Sequence, residues 1–138
     1  MLPADFFFQY ENYVSPAPGP EIMQVARQDG KPPTLHYHTW LGREQQLTVP
    51  LDVEDFAAVV QLVTQEVAFW ELPADISGEE ALPDGDWPMF TLRFNGREHW
   101  SGGACAGYWH PDIAHLQTAM RHLYEKHLLP RLPPLRRR

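Results

Sequence analysis

The sequence predicts a single α+β domain of two layers: a mainly antiparallel sheet of five or six strands, with two helices on one face. Aromatic and apolar runs fold back at an Asp-Gly and an Asn-Gly turn signal, and two segments repeat apolar residues at intervals of three and four. Read in order these give β-β-β-(β)-α-β-β-α, and one shared sheet surface buries both helix stripes. At 138 residues with 43% apolar content the chain suits one core. The domain is assigned to 1–130, followed by a basic Pro/Arg-rich tail at 131–138.

Phe6 to Tyr13 reads as the first strand, rich in aromatics. Val14 to Pro20 holds three prolines and a glycine and reads as a loop. Glu21 to Gln28 is the second strand, with Ile22, Gln24 and Ala26 on one side and Met23, Val25 and Arg27 on the other. Asp29-Gly30 turns the chain, because glycine adopts a positive φ cheaply. Thr34 to Leu41 returns, Gly42-Arg43 turns again, and Gln45 to Val49 forms a short fourth strand.

Asp52 is a good N-cap for the first helix, and Asp55 at N3 places a second carboxylate near its positive end. Val53, Phe56, Val60, Val63, Val67 and Trp70 form one stripe, which predicts a helix running to about Pro73. Ala74 to Trp87 is a long acidic loop. Met89 to Phe94 and Arg97 to Ser101 are strands joined at Asn95-Gly96. Gly102 to Tyr108 follows no clear period. Pro111 suits the first position of the second helix, whose inner face is Ile113, Leu116, Met120 and Leu123, with His127 beside it.

The start M-L-P-A-D lacks the basic end of a signal peptide, and no run reaches the roughly 18 apolar residues that span a bilayer. Cys105 alone cannot build an internal disulfide framework. A cytoplasmic location away from membranes is the expectation. Glu44 to Asp86 carries eleven carboxylates and no lysine or arginine, against a whole-chain net charge of −7. That charge disfavours nucleic acid, whose phosphates it would repel.

Three features bear on chemistry. His36, His38 and Trp40 share a strand face, where a ligand groove or simple packing would suit them. Two histidines without further ligands do not make a zinc site, so no metal or other cofactor is expected. Ser101 to His110 (S-G-G-A-C-A-G-Y-W-H) has glycines at 102, 103 and 107 before a helix start. Gly102, Gly103 and Gly107 could let backbone amides converge on an anion, and Cys105 with His110 could form a nucleophile and base. The phosphate-loop signatures are absent. A small buried cysteine beside a tight turn is the more ordinary use of this segment. The third feature is the acidic loop. Asp75, Glu79, Glu80, Asp84 and Asp86 lie between Trp70 and Trp87, combining charge with aromatic anchors as interfaces do.

The leading expectation is a non-catalytic acidic binding protein, inhibitor- or immunity-like, that docks a basic protein partner. The alternative is a small enzyme, or a small-molecule or anion binder, using residues 101–110. A third is a homodimer formed through aromatic edge strands.

Overall fold

The structure is a computed structural model that describes residues 3–13, 19–40, 43–77 and 86–132. It is an α+β domain with a six-stranded antiparallel sheet and two main helices packed on one face. The strands are β1 (Phe6–Tyr13), β2 (Glu21–Arg27), β3 (Thr34–Thr39), β4 (Gln45–Pro50), β5 (Trp87–Phe94) and β6 (Arg97–Gly102). Their spatial order is β4-β3-β2-β1-β5-β6, so the first strand of the chain is a central strand of the sheet.

Alternation divides the sheet into two faces. On the inner face Phe8 stands between Val25 and Leu92, and Tyr10 between Met23 and Phe90. Leu35, Tyr37 and Val49 extend this face toward β4, and all nine of these residues are buried. Opposite them, Gln9, Gln24, His36 and Thr48 form one row of the outer face, and Glu11, Ile22, His38 and Gln46 form the next. The turns agree with their residues. Gln28 accepts from Lys31 across Asp29-Gly30, and Asn95 and Gly96 both take positive φ, at 54° and 73°, as a type I′ hairpin requires.

Helix α1 (Val53–Gln61) begins where Asp52 accepts a hydrogen bond from the Asp55 amide. Its end differs from the expectation. The helix does not run to Pro73: a wide π-turn occupies Leu62–Glu66, Val67 is extended, and Phe69–Glu71 makes one separate tight turn. The π-turn turns both Leu62 and Val63 into the core. The buried set is therefore Phe56, Val59, Leu62, Val63, Val67 and Phe69, while Val53, assigned to the apolar stripe, is exposed. Phe6 meets Phe56 and Phe8 meets Phe69, edge to face in both pairs, which fixes this arm on the sheet.

The unplaced stretch after β6 contains a short helix, α2 (Ala106–Trp109). Helix α3 (Pro111–Leu123) buries Ile113, Leu116, Met120 and Leu123, as its spacing predicts, and continues through a π-turn at Tyr124–Leu128. Leu132 packs against the core beyond it. The remaining Pro/Arg tail, 133–138, lies outside the described residues. No described helix is long and apolar enough to cross a membrane.

Candidate functional site

The helices cover one face of the sheet, and the other face presents side chains outward. His36 and His38 stand there with Trp40, as alternation predicts. His36 Nδ1 lies 2.6 Å from Thr48 Oγ1. The His38 ring stacks on Trp40 at 3.9 Å between centroids, and its Nε2 is 3.5 Å from Glu44 Oε1 without hydrogen-bond geometry. Packing and cross-strand pairing engage this trio.

The far corner of the same face is apolar and open. Tyr13 pairs with Trp87, Met89 lies two residues along β5, and Trp100 on β6 is the diagonal neighbour of Met89. Tyr13, Trp87 and Trp100 remain 44%, 53% and 51% exposed. Gly102, opposite Met89, is what allows this packing. At φ 154° a Cβ there would overlap the Pro88 carbonyl oxygen, and the Met89 sulfur occupies the space beside it. Glu11 pairs with Met89, and Asp75 is bridged to Gly102, so carboxylates flank the aromatic corner. Asp75 accepts from the Ser77 amide, and hydrogen bonding to Ser77 holds its carboxyl below the usual range.

The segment Ser101–His110 binds the chain to itself. The amide of Gly102 donates to Ala74, Gly103 to Pro88, Ala104 to Ser77 Oγ, Cys105 to Asp86 and Ala106 to Gly103. The amides of residues 102–106, which an anion nest would need, are engaged within the protein. Cys105 is buried in a left-handed conformation, at φ 56°, immediately before α2. His110 lies at the start of α3 with its Nδ1 enclosed and lacking a hydrogen bond among the described residues. Gly107 approaches Gln117, where any Cβ would collide with the amide oxygen.

Of the loop assigned to partner binding, Glu79, Glu80 and Asp84 lie outside the described residues. Asp86 is half-buried, with Oδ2 accepting from Gln117 Nε2 at 3.2 Å. Trp70 packs partly against the core under Arg97, whose guanidinium carbon is 4.3 Å from the ring centroid. Arg97 pairs with Phe94, at the opposite end of β5 from Trp87, so the two tryptophans are separated by roughly 20 Å of strand. The structure gathers Trp87 and Asp75 near one corner and sets Trp70 apart.

Sequence reading passed over Tyr13 and Trp100, which complete that corner. The signal was present: both fall on the outward parity of their strands, but only the β1–β5–β6 pairing places them together. A second acidic group joins Asp52 and Asp55 to His127, with ligand-type atoms within 4.8 Å of one another. Lys126 Nζ already lies 2.9 Å from Asp55 and 3.8 Å from Asp52, which makes the group an ion-pair cluster between the start of α1 and the end of the α3 arm. No protein-family model matches the chain, and no curated protein matches it.

Proposed function

We propose that this chain is a non-catalytic binding protein that docks a basic protein partner on the uncovered face of its sheet. The observation that carries the reading is the exposed corner of Tyr13, Trp87 and Trp100 around Met89, beside the carboxylates of Glu11 and Asp75. Exposed tryptophans are efficient anchors: they bury much area at small entropic cost, and their faces accept lysine and arginine. The net charge of −7 steers such a partner inward at long range. An enzyme or anion binder built on residues 101–110 has less support, because the amides of that segment are engaged and Cys105 is buried.

The test is affinity capture from the source cell with the wild type and with a W87A/W100A double variant, followed by Kd measurement on the purified partner. The partner should be basic, bind the variant at least about tenfold more weakly, and weaken as salt rises from about 0.05 to about 0.5 M. An acidic partner, or one held equally by the variant, would overturn the reading. Self-association that persists in high salt would favour the homodimer instead.

A further inference from the structure

A cleft of about 370 Å³ opens on the helix side of the sheet, between the Tyr10–Met23 region and the α3 arm. Its size falls at the small end of ligand sites, which run about 300–1,000 Å³. Two tyrosines, Tyr10 and Tyr124, line it, and Glu21 and Gln117 are fixed by hydrogen bonds to the sheet and its neighbours. Glu21 enters from the start of β2, and its Oε2 accepts a 2.6 Å hydrogen bond from the hydroxyl of Tyr37. Tyr37 is 2% exposed, so the carboxylate is fixed from within the core. The ring of Tyr124 rests on Tyr37 at 5.4 Å between centroids, and Gln117 Nε2 donates to both Tyr10 and Asp86.

We propose that this cleft binds a small organic cation, whose ammonium or guanidinium group pairs with Glu21 and lies against the rings of Tyr10 and Tyr124. Three arguments converge on this class. A carboxylate beside phenol rings matches a cation through charge and ring quadrupole together. Two carboxylates, Glu21 and Glu125, face the cleft against one cation, Arg121, so an anion meets net repulsion. The negative field also reaches the phenols. Burial pushes Tyr10, Tyr37 and Tyr124 upward, and the charge of Glu21 adds to the rise at each. A metal ion is disfavoured, because the lining offers few carboxylate ligands and no histidine. The site lies on the face opposite the aromatic corner, and therefore stands or falls separately from partner docking.

The experiment is calorimetric titration of the full chain with agmatine and with putrescine, using glutarate as the anionic control. Agmatine or putrescine should saturate a single site, and glutarate should give no heat. The E21Q variant keeps the size of the side chain and an acceptor for Tyr37, and it should bind at least about tenfold more weakly, or about 1.4 kcal/mol. Should E21Q fail to fold by circular dichroism, Y124L removes one wall and should weaken binding in the same direction. Added agmatine should move the ring resonances of Tyr10 and Tyr124 in NMR spectra. No saturation below about 10 mM, equal binding by E21Q, or comparable binding of glutarate would overturn the proposal.

Discussion

Asp55 shows how one side chain joins two distant segments. Its amide donates to the helix cap at Asp52, while its carboxylate meets Lys126 and His127, seventy-two residues away in the case of His127. Partial burial opposes its ionisation, but hydrogen bonds from Lys126 and His127 and the charge of Lys126 outweigh it and hold the carboxyl below its ordinary range. A lowered folded pKa contributes stability above the unfolded value and loses it as pH falls through the folded one. Replacing Asp55 by Asn should therefore cost about 1–2 kcal/mol at neutral pH and progressively less below about pH 4, measured by urea unfolding at both ends. The phenols have the opposite dependence. Burial raises Tyr10 to about 12, and Tyr37 is raised further by burial and Glu21. Their neutral forms favour the fold, so stability is complete below about pH 10 and declines as pH rises toward 12. Ellipticity and tyrosinate absorbance followed together should show late ionisation coinciding with unfolding. In the sequence, Asp55 was legible as a helix-start carboxylate and His127 as a flank of the second stripe. Their contact was not, because it depends on where the α3 arm crosses α1.

Among the elements, the strands were legible to within two or three residues, because period-two alternation and Asp-Gly or Asn-Gly turns are local properties. The end of α1 was not. Val60, Val63, Val67 and Trp70 continue a helical spacing past the point where the chain leaves the helix, and the π-turn at Leu62–Glu66 is selected by core packing rather than by local propensity. After it, residues 72–77 are joined to β6. His99 Nε2 lies 2.6 Å from the Leu72 oxygen, Ser101 donates to Pro73, and Gly102 exchanges backbone hydrogen bonds with Ala74 and Ile76. This covers part of what would be an open sheet edge. Gly102 is the hinge of the arrangement, needed both for its φ and for the space above Met89. Its replacement by Ala should cost roughly 3 kcal/mol, seen as a lower urea midpoint, and should loosen residues 72–77 to hydrogen exchange.

At the scale of the whole molecule, the acidic run does not form, among the described residues, one continuous strip beside its two tryptophans. Asp52 and Asp55 join the Lys126–His127 cluster, Asp86 meets Gln117, Glu44 lies beside His38, Asp75 lies near the open corner, and Trp70 belongs to the other end of β5. Charge in sequence order was legible, whereas its distribution over the surface depended on the strand order. The two sides of the sheet should respond differently to mutation. Substituting Trp87 and Trp100 by Ala should leave stability within about 1 kcal/mol and be felt in partner binding. Phe90→Ala on the helix side should cost about 3–5 kcal/mol in thermal or urea unfolding.

Because β1 lies between β2 and β5, one side of it can be satisfied only after some seventy further residues have been made. This strand is made before the others, and the side of it that will meet β5 stays unpaired while β2, β3, β4 and α1 follow. During that interval neighbouring nascent chains on one polysome carry the same unfilled strand side, so slower elongation between residues 27 and 87 should raise co-translational clumping, measured as the insoluble share of newly made protein.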